Sequence, residues 1–208
     1  MTITYIIMGL CAYMSWTALN NSEQFHRWDL SPYLIAARNE KYRLFTHAFI
    51  HAGWMHFFVN MFVLWQFGGA VEQTFIKLFG TLGYVYYLAL YVGGFLFSTI
   101  PALSKHKDNP LYRAVGASGA VSSVLFAYIL LYPVNLLYLF LVLPIPAFLV
   151  GILYLIYENR MKDSNDNIAH DAHYYGAIYG FLVTLIFKPK LAELFVLQVW
   201  EQITSLFA

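Results

Sequence analysis

A serine, two histidines and an asparagine lie within long uncharged stretches of this 208-residue chain, where ionisable and polar side chains are rarely kept without a function. A serine hydroxyl becomes a good nucleophile when a neighbouring base takes its proton, and histidine suits that task near neutral pH. Ser118 and His173 are the candidates for this pair. Their residue types predict acyl transfer, with Ser118 as the nucleophile and His173 as the general base.

Acyl transfer also needs hydrogen-bond donors at the developing oxyanion, and loss of one donor typically costs about 3 to 4 kcal/mol in the barrier. His56 and Asn60 are four residues apart and therefore share one face of a helix. Together with the backbone N–H of Ser118, they predict an oxyanion site. Hydrogen bonding between packed helices is the alternative explanation for the same two side chains.

The elements that hold these residues are predicted to be membrane-spanning helices. Hydrophobic residues make up 60% of the chain and charged residues 11%, against about 25% charged in a soluble domain. The formal net charge of +1 indicates no basic face for nucleic acid. The single cysteine, Cys11, lies in an apolar run and cannot form an internal disulfide.

Six uncharged segments are long enough to cross a hydrocarbon core of about 30 Å. The predicted spans are residues 1–22, 48–71, 78–103, a fourth from about 114 to Tyr132, a fifth from about Pro146, and 167–187 with Asp166 or Asn167 as the N-cap. Residues 134–143 fit either part of the fifth span or an apolar interfacial loop. The economical division is one membrane domain, 1–190, followed by a tail, 191–208, predicted to be an interfacial helix.

Helices two, four and six of this scheme begin on the same face, which also carries the first, third and fifth loops; the polar fifth loop is predicted to be residues 158–167. Ser118 follows Arg113 by five residues and His173 follows Asp166 by seven, which places both about 8 to 11 Å below the charged edge. His173 also shares a helix face with Gly176 and Gly180. If this glycine face meets the small residues around Ser118, the imidazole faces the hydroxyl.

Several motifs resemble those of the rhomboid family of intramembrane serine proteases, over most of the chain from about residue 42 to 180. In chain order they are the aromatic-arginine pair Tyr42-Arg43, the His-x-x-x-Asn of His56 and Asn60, the Gly-x-x-Glu of Gly69 and Glu72, the Gly-x-Ser-Gly of Gly116, Ser118 and Gly119, and the histidine-glycine motif of Ala172, His173, Gly176 and Gly180. Each motif alone is weak, but the whole set at these spacings is very specific.

The resemblance implies an all-α polytopic fold, a six-transmembrane-helix rhomboid-like bundle that cuts transmembrane segments of membrane proteins without a cofactor or metal. It assigns Ser118 as nucleophile, His173 as base, and His56, Asn60 and the Ser118 amide as the oxyanion site. The family often has an aromatic residue four positions after the serine, where it can stack on the histidine. This chain has Ser122 there, which removes no reacting group but leaves the orientation of His173 open.

The charges and the resemblance disagree about membrane orientation. The face with the first, third and fifth loops carries nine Lys and Arg residues and the other face carries three, so the positive-inside rule alone puts the first face in the cytoplasm. The resemblance implies that this face, with the active site, lies outside the cytoplasm. We expect the latter, in the inner membrane of a cell, with the lipid bilayer and transmembrane proteins as partners.

Three other functions fit the sequence less well. A metal hydrolase would use the clusters His47, His51, His56 and His170, His173, but no His-Glu-x-x-His motif is present. A catalytically silent rhomboid relative that binds membrane clients would typically lack the serine or the histidine. A transporter would be expected to show a pair of interrupted helices in two similar halves.

Overall fold

The computed structural model describes residues 2–139, 142–164, 166 and 168–205, and most of these are helical. The helices are α1 (Thr2–Leu19), α2 (Ser22–Trp28), α3 (Pro32–Arg38), α4 (Arg43–Thr46), α5 (Trp54–Val63), α6 (Gly69–Phe79), α7 (Leu82–Lys105), α8 (Ser118–Leu131), α9 (Ala147–Met161), α10 (His170–Phe187) and α11 (Leu191–Thr204). A 3-10 turn follows α4, and a π-helical segment joins α5 to α6. This architecture agrees with the predicted all-α class.

Two helices, α1 and α7, are each long and apolar enough to cross a membrane, among the residues described. A third candidate is the pair Arg43–Phe49 and Trp54–Phe79, whose two arms are bent by 89°. The apolar helix α8 is shorter, with 14 residues. Large apolar side chains are exposed on these helices, including Met55 at 77% and Phe58 at 60%, as lipid-facing surfaces require. The polytopic class stands, whereas the number of six spans remains a prediction.

The central element is α8, in which ten of the 14 residues are buried. Helices α7 and α10 both pack against it. Glycines permit this close approach, because a Cβ atom at Gly176 would overlap the carbonyl of Gly119, and one at Gly180 would overlap the backbone of Ser123. The predicted glycine face of the last span therefore meets the small-residue helix that begins at Ser118.

At the opposite end of the bundle, Glu72 of α6 caps the first turn of α1. Its carboxylate accepts the backbone N–H groups of Ile3 and Thr4 at 3.1 and 3.0 Å, and the Thr4 hydroxyl at 2.7 Å. A carboxylate at a helix N-terminus pairs N–H groups that have no acceptor within the helix and interacts favourably with the helix dipole. Glu72 thus connects α1 by hydrogen bonds to the helical hairpin of α6 and α7.

The region between α8 and α9 differs from both alternatives predicted for it. The fourth helix ends at Leu131 and the next begins at Ala147, close to the predicted Tyr132 and Pro146. Between them, β1 (Leu136–Leu139) and β2 (Leu143–Pro146) form an antiparallel hairpin rather than a helix or a loop. Residues 140 and 141 lie outside the described residues. An apolar run with prolines fits a short two-stranded hairpin, because neither strand needs a donor on its outer edge.

Three predicted boundaries are wrong. The second span does not begin at residue 48 as one helix, because the chain turns sharply between Phe49 and Trp54. The last span begins at His170 after Ala169, without a side-chain cap, so Asp166 is not its N-cap; Asn167 lies outside the described residues. Glu158, assigned to the polar fifth loop, lies inside α9 and is buried.

Candidate active site

Ser118 is the first residue of α8 and is half-buried. It lines a cavity of about 30 Å³ together with Ser98, Tyr112, Asp171 and Ala172. A space of this size holds about two water molecules. The candidate nucleophile therefore borders a small cavity that is lined in part by polar side chains, and the residue before His173 also lines it.

Gly116, two residues before Ser118, cannot be replaced by another residue without strain. Its φ of +131° is a conformation that residues with a side chain rarely adopt. A Cβ atom there would also lie 2.7 Å from Cε1 of His56. The imidazole of His56 therefore rests directly on the segment that leads into Ser118.

The segment before Ser118 is fixed by backbone hydrogen bonds to two other parts of the chain. Leu30 and Ala114 form an antiparallel pair, with N···O distances of 2.9 and 3.1 Å, and the Gly116 N–H donates to the carbonyl of His47 at 2.9 Å. The first loop and the 3-10 turn thus position the start of α8. Sequence reasoning did not anticipate either contact, because both join residues that are distant in the chain.

His51 provides a third connection to this segment, through its side chain. The ring is fully buried, and its Nε2 accepts the Ala117 N–H at 3.5 Å. The ring proton is therefore on Nδ1, which donates to the Ser15 hydroxyl at 2.9 Å, and that hydroxyl donates to the carbonyl of Phe49 at 3.2 Å. His51 links α1 to the residue before Ser118, which is a positioning role rather than a metal-binding one.

Replacement of His51 by leucine is expected to lower the melting temperature of the detergent-solubilised protein by several degrees. The change leaves the Ala117 N–H without its acceptor, and an unpaired buried donor costs about 1 to 3 kcal/mol. His26→Leu is the matched control, because its side chain is 69% exposed and should melt like the parent. Equal melting temperatures for the two variants would contradict the positioning role of His51.

His173 is half-buried in the first turn of α10, where this helix crosses α8. A Cβ atom added at Gly119 would lie 3.6 Å from the carbonyl oxygen of Ala172, so the residues next to Ser118 and His173 lie close together where the two helices cross. Nδ1 of His173 is 3.1 Å from Oε1 of Glu158. With Nδ1 engaged, Nε2 is the nitrogen that remains for the serine.

The two candidate oxyanion donors share the first turns of α5. The Ala52 N–H donates to Nδ1 of His56 at 3.4 Å, so the ring proton is on Nε2, the atom that faces Gly116. Asn60 is buried, and its Nδ2 donates to the carbonyl of His56 at 2.9 Å. The contact with Ala52 thus fixes the N–H of His56 on Nε2, and the contact with the His56 carbonyl fixes the orientation of the Asn60 amide.

Arg43 and Glu72, the two charged motif residues, lie away from this cavity. Arg43 donates to the carbonyls of His26 and Asp29 at 2.8 and 2.9 Å, and to the Asp29 carboxylate at 2.8 Å. Its Nε donates to Glu40 at 2.7 Å, which lowers the pKa of that half-buried carboxyl. Arg43 therefore organises the first loop, as Glu72 organises the far end of the bundle.

Sequence reasoning did not include Glu158 among the site residues, and it named His170 only for the alternative metal site. In the part of the chain that the structure describes, one group of three side chains could offer a metal ion its ligand atoms, namely Glu158, His170 and His173, whose ligand atoms all lie within 4.8 Å of one another. Hydrogen bonds already pair these atoms. The signal that could have identified Glu158 is its position as the first charged residue after the long uncharged run 114–157.

Comparison with known proteins finds one matching family model and several relatives. Residues 38–190 match the model of the Rhomboid domain. "RHOMBOID-like protein 12, mitochondrial" of Arabidopsis thaliana is 30% identical over 193 residues, which cover 83% of this chain and 54% of that protein. This chain therefore spans about half the length of that relative.

Two further relatives are similar over shorter regions. "Putative rhomboid protease YdcA" of Bacillus subtilis (strain 168) is 30% identical over 162 residues, which are 74% of this chain and 71% of that protein. "RHOMBOID-like protein 6, mitochondrial" of Arabidopsis thaliana is 38% identical over 89 residues, which are 43% of this chain and 26% of that protein.

Proposed function

This chain belongs to the rhomboid family, and from that premise we propose that it is an intramembrane serine endopeptidase. Its substrates are transmembrane segments of other membrane proteins, cut through an acyl-enzyme on Ser118. The observation that carries the proposal is the position of Ser118 at the start of α8, on a small cavity shared with Ala172, the neighbour of His173. Family membership supports either a protease or a silent relative, and this geometry favours the protease.

The reaction begins as the Ser118 oxygen attacks the carbonyl carbon of the scissile peptide bond. The hydroxyl proton passes to Nε2 of His173, and the new C–O bond leaves a tetrahedral oxyanion. His173 then gives the proton to the departing amine as the C–N bond breaks. Water repeats the sequence against the ester, which releases the second product and restores Ser118.

The oxyanion is bound by the Ser118 N–H with the side chains of His56 and Asn60. At a helix start the N–H groups of the first turn have no intrahelical acceptor, so the Ser118 amide is available as a donor. The proton on Nε2 of His56 lies beside Gly116, next to the reacting segment. Donors held in this way need no rearrangement as charge develops, which is the main source of such stabilisation.

Cleavage by the purified protein in liposomes tests this proposal. A single-span test substrate with small residues at the membrane boundary should be cut within or beside its span by the parent and not by Ser118→Ala. A substrate that co-purifies with both forms but is cut by neither would favour the silent client-binding relative. Neither the proposed protease nor that relative requires nucleic acid or a cofactor.

We also propose that the cavity face, with the first, third and fifth loops, lies outside the cytoplasm. The chain is a membrane protein; two relatives are named mitochondrial and one is bacterial, and we keep the inner membrane of a cell as the proposed location. Cys11, the single cysteine, is fully buried, so the parent offers little background for thiol labelling.

A membrane-impermeant maleimide distinguishes the two orientations. Added outside intact cells, it should label Lys107→Cys in the third loop and spare Lys77→Cys on the opposite face, since both positions are exposed. Both cysteines should react after the membrane is permeabilised. Labelling of Lys77→Cys alone in intact cells would reverse the orientation and agree with the count of positive charges.

A further inference from the structure

Near the end of α9, Glu158 is a carboxylate buried inside the bundle. Its side chain follows an uncharged stretch and is 4% exposed. A buried carboxylate is costly unless hydrogen bonds or an opposite charge compensate it. Glu158 has two such partners on α10, because Oε2 is 2.6 Å from Nδ1 of His170 and Oε1 is 3.1 Å from Nδ1 of His173.

The contact with Glu158 determines which nitrogen of His173 is basic. An ionised carboxylate only accepts hydrogen bonds, so His173 carries its proton on Nδ1 and presents the lone pair of Nε2. Nε2 must be unprotonated to take the proton of Ser118. A carboxylate in this place fixes both the tautomer and the direction of the ring, and it stabilises the imidazolium that forms during attack.

His170 and Asp166 together hold Glu158 in place. His170 is buried, and while its Nδ1 faces Glu158, its Nε2 lies 3.0 Å from Oδ2 of Asp166. The hydrogen bond from His170 lowers the pKa of Asp166, in the loop before α10, to about 2. Asp166 therefore stays ionised across the working pH range. A series of hydrogen bonds joins Asp166 to His170, His170 to Glu158, and Glu158 to His173.

Ser122 makes room for this arrangement. It lies one turn after Ser118, is buried, and its hydroxyl is 2.6 Å from the hydroxyl of Tyr154 on α9. Tyr154 and Glu158 are four residues apart and share one face of α9. A large aromatic side chain at position 122 would occupy the space of Tyr154, so the small residue lets α9 bring both side chains towards α10.

We propose that Glu158 is a positioning residue for His173, so that Ser118, His173 and Glu158 act as a triad rather than a pair. The inference rests on the proposed protease function and names the group that orients its base. Glu158 keeps its negative charge throughout. The proton of Ser118 moves to Nε2 of His173 and then to the leaving amine, and none is transferred to the carboxylate.

Kinetics of Glu158→Gln and Glu158→Asp in liposomes test the proposal, with Glu193→Gln as the matched control on the exposed face of α11. The glutamine variant should lower kcat by about 10² to 10⁴-fold with KM unchanged, because it admits the wrong tautomer and removes the charge. The aspartate variant should recover part of that loss. Glu193→Gln should match the parent.

The comparison of the two Glu158 variants separates positioning from mere support of the fold. Aspartate can still accept the Nδ1 proton of His173, whereas glutamine keeps the size of glutamate but loses its charge. A positioning role therefore predicts a higher kcat for Glu158→Asp than for Glu158→Gln. A structural role predicts the reverse order, together with a lower folded fraction in the less active variant.

Each other outcome overturns the inference in a recognisable way. A parent that cleaves while Glu158→Gln keeps the parental kcat would refute the triad and leave the protease intact. A folded parent that never cleaves would refute both. Lost activity on chelation that zinc restores would replace the triad by a metal site on Glu158, His170 and His173.

Discussion

Alanine at Ser118 or at His173 is expected to lower kcat/KM for cleavage of a single-span substrate by at least about 10⁴-fold. Without Ser118 no acyl-enzyme can form, and without His173 no group takes the serine proton. The two losses should be similar in size, and the double variant should be little worse than either, because the residues act as one unit. The rates are measured with purified protein in liposomes.

Folding must be unchanged for this result to concern chemistry. Ser118 is half-buried at a helix start, and removal of its hydroxyl should leave the melting temperature near that of the parent. Ser205→Ala and His26→Ala, at exposed positions, are the matched controls and should cleave at the parental rate. Cleavage by Ser118→Ala at even a tenth of the parental rate would assign the reaction to another residue.

Replacement of Gly180 by alanine adds one methyl group and should strongly destabilise the helix bundle. Its Cβ would overlap the backbone of Ser123, and a backbone cannot rotate away as a side chain can. Overpacking of this kind costs about 1 to 3 kcal/mol and occasionally more; we expect about 3 kcal/mol. For a chain of this size that corresponds to a fall of about 6 to 12 °C in melting temperature.

The same variant should also lose most activity, because the separated helices α8 and α10 carry Ser118 and His173. Gly9→Ala on α1 is the matched control: a Cβ there meets nothing within 4 Å, and alanine favours a helix over glycine. That control should melt at the parental temperature or slightly above it. A Gly180→Ala variant as stable as Gly9→Ala would mean that α8 and α10 do not pack as described.

Local patterns in the sequence predicted the fold class, the helices that bear the reactive groups and the glycine face of α10. These features depend on hydrophobic length, helical spacing and small residues, which are visible in one segment at a time. The hairpin between α8 and α9 was not predictable, because a short apolar run with prolines fits strand, helix and loop alike. The short helices α2 and α3 were not predicted, although each has an N-cap residue that the sequence shows, Asn21 for α2 and Ser31 for α3.

The supports of the site could not be predicted from the sequence. His51 reaches the residue before Ser118 across 66 positions, and Glu158 reaches His173 across 15. Such contacts depend on how helices pack, which no local pattern specifies. Glu158 was assigned to a loop because a charge ordinarily ends a membrane span, and its burial follows only from the two histidines that α10 brings to it.

The central claim is that Ser118 is an activated nucleophile, and covalent labelling tests it most directly. The folded parent, in membranes or detergent, is treated with a fluorophosphonate probe, and the modified peptide is identified by mass spectrometry. The predicted result is a single adduct on Ser118, absent from Ser118→Ala and from His173→Ala. No adduct on a folded parent, across probes of several sizes, or an adduct that persists in His173→Ala, would contradict a histidine-activated serine at this site.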